Sequence, residues 1–270
     1  MGLFVALNNM VSFKLLLNGV IDFVDLFLVL IFLVVGFVNG FFSSMSGGGS
    51  LFALPMLLLI GLPAQVAIAT NTFSTLGSAV GCVPKYLKEK KVNFSYLLPC
   101  TVLSLIGTFI GANLLLAFPK ELLTSTIVVI LTFIAVVFIF NKKIGVMRKE
   151  VTRNGVRFGY FLYFLTSILA GFFLAGTGIL IICVMVAFMG FTFIEANATR
   201  QVLLIPTVIM STLVFSQKGL VDFNIGLILM AGMVIGGLVG ARLAIKKGDE
   251  WVKRITVIVV IITVVKLIFF

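Results

Sequence analysis

Two clusters of small and hydroxyl residues break an apolar background. One is Ser46, Gly47, Gly48, Gly49 and Ser50, within the wider stretch Ser43 to Ser50. The other is Gly176, Thr177 and Gly178. Glycine leaves backbone N–H groups open to a ligand, and hydroxyls add donors beside them. A helix starting at Ser50 or Leu51 would aim its unpaired N–H groups and positive dipole end back at the glycines, a setting for an anion. This is not a phosphate-binding P-loop, because the Lys-Ser/Thr pair of that motif is missing. A flexible hairpin that lets two helices pack is the plainer alternative and stays open.

A second pair of polar elements is Thr70-Asn71 and Thr199-Arg200-Gln201. Arg200 is the one charged residue between Glu195 and Lys218. Ile194 to Gln217 reads as a spanning helix, which puts Arg200 about two turns in. A charge at that depth is costly and marks a pathway or a binding site. The planar guanidinium fork suits carboxylate, sulfonate or sulfite oxygens. Snorkelling to a headgroup layer is the alternative. Glu195 fits a dipole-stabilised carboxylate near a helix start, with pairing to Arg200 or proton carriage as other options. Asn197-Ala198-Thr199 and Asn93-Phe94-Ser95 match glycosylation sequons but fall in a membrane segment and a cytoplasmic loop.

These residues need a membrane scaffold to hold them. The chain has 270 residues, 61% hydrophobic and 11% charged, with 28 Phe. A soluble domain carries about 25% charged residues, so the chain reads as an all-α integral membrane protein. The net charge is +11, and its cations gather between apolar runs, as orientation by cytoplasmic Lys and Arg requires. No polar segment is long enough for a nucleic-acid-binding fold. There is no His, which removes His metal sites, a Ser–His dyad and a His relay. Cys82, Cys100 and Cys183 are scattered through apolar runs and read as buried hydrophobes. Neither a catalytic constellation nor a cofactor motif emerges, so the chain is expected to be no enzyme and to carry no cofactor or metal. No cleavable signal is evident, since Lys14 is the first cation.

Residues 1–25 read as an interfacial or flexible N-terminal segment. The first spanning segment is expected at Leu26 to Met45. Leu51 to Leu62 would be a helix of only about 18 Å against a hydrocarbon core of about 30 Å, hence a half-helix or a short covered span. Gly61-Leu62-Pro63 ends it. Ala64 to Leu87, Ser95 to Phe118 and Leu122 to Asn141 follow, with a basic loop at Lys85 to Lys91. Residues 142–157 form a basic linker, placed in the cytoplasm. Backbone breaks inside hydrocarbon-grade sequence survive only where protein or a wet cavity covers them.

A shift of 129 residues, the separation of Gly47 and Gly176, superimposes the two halves. Gly49/Gly178, Gly61/Gly190, Thr70/Thr199, Gly107/Gly236, Gly111/Gly240 and Glu121/Glu250 coincide. The expected architecture is therefore two membrane repeats, 26–141 and 158–270, of about five segments each. Charge predicts that they are inverted. The loop with Lys85, Lys88, Lys90 and Lys91 is basic, whereas its counterpart Gln217 to Asn224 holds only Lys218 and Asp222. Equivalent loops would then lie on opposite sides of the membrane. Parallel halves with eight crossings remain the alternative. The Gly232, Gly236 and Gly240 ladder reads as close helix packing.

The run Gly36-Phe37-x2-Gly40-Phe41-x6-Gly48-Gly49-x5-Pro55, with Gly61-Leu62-Pro63-x3-Ala67-x2-Thr70-Asn71, resembles the TauE/SafE family of sulfite exporter-like membrane permeases. Gly171-Phe172-x3-Gly176-x-Gly178 with Ala196-x2-Thr199-Arg200 is similar to its second-half copy. The resemblance spans about Asp25 to Phe270 and implies a cytoplasmic-membrane transporter of small sulfur-containing anions. On this reading the anion lies between the two breaks, held by helix N-termini, Thr70, Asn71, Thr199 and Arg200. Expected partners are a small anionic substrate and membrane lipids, with a homodimer left open.

Overall fold

The computed structural model describes residues 23–119, 151–252 and 254. Most of the N-terminal segment 1–25, the apolar segment Leu122–Asn141, most of the linker 142–157 and the stretch after 254 lie outside these residues. Nine α-helices carry the described chain: α1 Phe23–Ser46, α2 Ser50–Leu59, α3 Ala64–Ser74, α4 Leu76–Lys88, α5 Leu97–Ala117, α6 Arg153–Phe172, α7 Thr177–Met189, α8 Phe193–Ser216 and α9 Phe223–Lys247. A 3-10 turn, Phe94–Tyr96, leads into α5. Six of the described helical stretches are long and apolar enough to cross a membrane, with α3 and α4 together forming one.

Two boundaries differ from the sequence reading. Residues 153–157 of the expected linker already belong to α6, because the Thr152 hydroxyl accepts from the Gly155 N–H at 3.3 Å and starts the helix early. The single segment expected over Ala64 to Leu87 is interrupted at Thr75. There Ser74 and Thr75 donate their hydroxyls to the Asn71 and Thr72 carbonyls, at 2.8 and 2.6 Å. Such back-bonding competes with the helix ladder and bends it.

Glycine seams join the helices. On α1 and α9, Gly36 lies against Leu229 and Gly40 against Met233; a Cβ on Gly40 would fall 2.6 Å from the Met233 Cα. On α5 and α6, Gly107 meets Ser167 and Gly111 meets Phe172. On α4 and α9, Gly77 meets Met230 and Gly81 meets Val234. Residue numbers rise together along each seam, so each pair is parallel. Lipid offers no hydrophobic drive between helices, so close van der Waals approach of this kind is what holds them. The opposite faces are apolar and exposed, as a face turned to lipid must be: Leu98, Val102, Ile106 and Phe109 line a stripe on α5, and Leu26, Leu30 and Val34 one on α1.

The backbone also recurs in register. Gly47, Gly61 and Lys90 have positive φ in the first half; Gly176, Gly190 and Gly219 have it in the second, each 129 residues on. The helix α8 is buried along most of its length and lies at the centre.

Candidate functional site

The break after α1 is turned by Gly47, with φ of +74°, and the break after α6 by Gly176, with φ of +78°. This left-handed backbone is open to glycine at little cost. The helices that follow, α2 and α7, have Gly49 and Gly176 at their N-cap positions, and neither start is capped by a side chain. The two breaks meet in the core. A Cβ on Gly47 would fall 2.9 Å from the Gly178 carbonyl carbon, and one on Gly178 would fall 2.8 Å from Nη1 of Arg200.

Arg200 is therefore an interior residue, 5% exposed. Its Nη2 donates to the Ser43 carbonyl at 3.2 Å and its Nε to Oδ1 of Asn197 at 3.4 Å. Both acceptors are neutral, and among the described residues no carboxylate pairs with it. The snorkelling alternative does not describe this position.

Arg200 works as part of a face. Asn197, Arg200 and Gln201 are spaced i, i+3 and i+4, so they project together from α8. Gln201 donates to the Ser43 carbonyl at 2.8 Å, and Asn197 donates to the Ser44 carbonyl. The Tyr86 hydroxyl on α4 also donates to Ser44, and Ser78 links Gln201 to the Ser43 hydroxyl. The last carbonyls of α1 thus receive donors from α8 and α4, the Ser43 oxygen in addition to the Gly47 N–H it accepts at 3.1 Å. Positive and donor groups at a helix C-terminus complement its dipole.

Asn71 reaches the same break from the other side. Its Oδ1 accepts from Asn39 Nδ2 at 3.2 Å, and Asn39 packs directly on Gly49. The other oxygen of this pair, Asn39 Oδ1, is buried without a hydrogen-bond partner. Ser46 donates to the Phe42 carbonyl at 3.0 Å and Thr177 to the Leu174 carbonyl at 2.8 Å, both as local turn closures. Gly48 and Ser50 are buried within the first break.

Thr70 and Thr199 stand elsewhere. The Thr70 hydroxyl accepts from the Asp222 N–H at 3.0 Å, and the Thr199 hydroxyl accepts from the Asn93 N–H at 3.0 Å. Glu195 closes a capping box with Thr192 at the start of α8, the dipole-stabilised role.

Several residues here escape a first reading of the sequence. Asn39 is the one strongly polar side chain in the apolar run from Leu26 to Phe42, which is a signal. The i, i+3, i+4 spacing of Asn197, Arg200 and Gln201 is another. Tyr86 and Ser78 give none, since their partners are distant in sequence.

Comparison with known proteins agrees with this architecture. The family described as sulfite exporter TauE/SafE matches residues 4–267. A "Probable membrane transporter protein" of Haemophilus influenzae is 25% identical over 242 residues, covering 90% of this chain and 95% of that protein. The "Probable membrane transporter protein ORF9" of a Sinorhizobium species is 29% identical over 234 residues, covering 87% and 90%. The "Probable membrane transporter protein YfcA" of Escherichia coli K12 is 25% identical over 235 residues, covering 87% of each. No solved structure gives a significant match. With a family match across nearly its whole length, and relatives matched over most of it, the chain belongs to the sulfite exporter TauE/SafE family and is a multi-pass membrane transporter, not an enzyme.

Proposed function

We propose that the chain carries a small oxyanion, a sulfite-like or sulfonate group, between the two glycine breaks. One observation carries this reading: the buried Arg200 guanidinium has only neutral partners and lies against the touching backbones of Gly47 and Gly178. Each helix end carries about half an elementary charge, positive at the N-terminus and negative at the C-terminus. Two ends of each sign meet here, the starts of α2 and α7 and the ends of α1 and α6. Their contributions offset, which leaves the guanidinium charge for an anion to neutralise. Gly48 to Ser50, Gly176 and Gly178 supply backbone N–H groups, those of Gly47 and Thr177 being taken by the Ser43 and Leu174 carbonyls, and Asn71 supplies a neutral amide opposite Arg200. The donor-rich, planar recognition of Arg suits trigonal and tetrahedral oxyanions.

Transport proceeds by alternating access, with one repeat moving against the other. The parallel seams support the inverted arrangement this requires. Both α1 and α4 run parallel to α9, while α5 turns back from α4 through the short connection 89–93 and runs parallel to α6. Equivalent helices of the two halves, α1 and α6 or α5 and α9, then point in opposite directions.

The experiment is anion flux into liposomes holding purified protein, with sulfite, sulfonates and carboxylates compared. Arg200→Gln retains a donor for Ser43 but removes the charge, and should lower flux and ligand-induced thermal stabilisation by at least about tenfold in apparent affinity, the effect of losing about 1.4 kcal/mol. Flux unchanged in Arg200→Gln and in Asn71→Ala would remove the site assignment.

A further inference from the structure

We propose that Thr70 and Thr199 are the two gate contacts of the transporter, one on each side of the membrane, opened in turn. The proposal rests on the reading of the chain as a two-repeat anion transporter. Its basis is a pair of hydrogen bonds related by the same 129-residue register at both ends: Asp222 N–H to Thr70 Oγ1, and Asn93 N–H to Thr199 Oγ1, each 3.0 Å. In each, a buried Thr of one half holds the start of a helix in the other half.

The donors are suited to reversible use. Asp222 caps α9, its carboxylate accepting from the Ile225 N–H at 3.0 Å, and Asn93 caps the 3-10 turn ahead of α5, its side chain accepting from the Ser95 N–H at 3.1 Å. A capping residue's own N–H has no partner inside its helix. Water can replace the Thr hydroxyl there when the contact opens, so opening leaves no stranded donor.

The contacts also lie at opposite ends of the bundle. From Thr70 to Lys88 the chain runs through the end of α3 and the whole of α4, at most about 27 Å at 1.5 Å per residue given the break at Thr75. Lys85, Lys88, Lys90 and Lys91 mark that far end as cytoplasmic, and Asn93 follows them. Asp222 begins α9, whose other end carries Lys246 and Lys247, so Asp222 belongs to the external side. Both contacts are closed in this structure. Each gate Thr is followed directly by a residue of the candidate site, Asn71 or Arg200, so a ligand that shifts either side chain pulls on the neighbouring contact.

The test uses the full chain with Cys82, Cys100 and Cys183 replaced by Ala. Single reporters, Ser74→Cys and Leu203→Cys, are added at buried positions one turn past each Thr. Labelling by a membrane-impermeant maleimide is compared in right-side-out and inside-out vesicles, without added anion. Thr70→Val should raise labelling of the Ser74→Cys reporter at least fivefold from the external side only. Thr199→Val should do the same for Leu203→Cys from the cytoplasmic side only. Thr70→Ser and Thr199→Ser, which keep the acceptor, should restore the parental rates. Unchanged labelling, labelling from the same side in both, or labelling of both reporters from both sides as in a loosened fold would overturn the proposal. Sided labelling in a protein that moves no tested anion would retain the gates and remove the transport substrate.

Discussion

Gly47 and Gly178, from the two halves of the chain, stand backbone to backbone, with room for no side-chain carbon between them. The Arg200 guanidinium closes the third side of this contact. Gly178→Ala should therefore disturb function more than its size suggests. Its methyl would sit 2.8 Å from Nη1 of Arg200, and the guanidinium must move. We expect loss of anion-dependent thermal stabilisation, with the helical circular dichroism spectrum kept.

Gly47 and Gly61 make a matched pair of probes. Both have positive φ, +74° and +93°. A Cβ on Gly61 meets nothing within 4 Å, whereas one on Gly47 meets Gly178 and Ile182. Gly61→Ala should cost only the backbone strain of about 1–2 kcal/mol and leave flux intact. Gly47→Ala carries the same strain and should abolish flux; liposome assays of the two variants side by side check this.

Tyr86→Phe removes a buried donor to the Ser44 carbonyl, where Asn197 remains as a second donor. The expected loss is modest, about 0.6–1.5 kcal/mol. Combining it with Asn197→Ala strands the carbonyl, so the double variant should lose more than the sum of the singles. Thermal unfolding in detergent measures the coupling.

Asn39 and Asn71 should couple with the opposite sign. Either single change to Ala leaves one buried amide without its mate, at about 1–3 kcal/mol. The double variant removes both and should be less destabilised than the singles added together. Additive losses would show that the pair is not formed in the membrane.

Much of this arrangement is readable from residue order because strong physical constraints write it there. Hydrocarbon forces long apolar runs, so the helix expected at Leu26 to Met45 appears as Phe23–Ser46. Glycine is needed where two backbones touch or turn left-handed, so the breaks at Gly47 and Gly176 announce themselves. Arg200 is conspicuous because a charge so placed needs a reason. Less visible is where a hydroxyl points. Thr70 and Thr199 sit beside Asn71 and Arg200 in sequence, yet their oxygens serve the Asp222 and Asn93 backbone. Nor does the order of residues show that the Ser44 carbonyl is served by Tyr86 and Asn197, because those partners depend on which helices become neighbours. The interruption at Thr75 was hidden for another reason. Ser74 and Thr75 are ordinary in a membrane helix until their hydroxyls choose the Asn71 and Thr72 carbonyls.

The seam between α1 and α9 bears on how the protein is made. During synthesis α1 enters the bilayer while the ribosome has yet to translate Gly232, Gly236 and Gly240. Its groove of Gly36 and Gly40 must wait, facing lipid or an insertase, until the ninth helix arrives. The glycine groove of the earliest helix described is thus among the last surfaces to be covered, although the other face of that helix already meets α3 and α4, and a polypeptide stalled before α9 should be a substrate for membrane quality control.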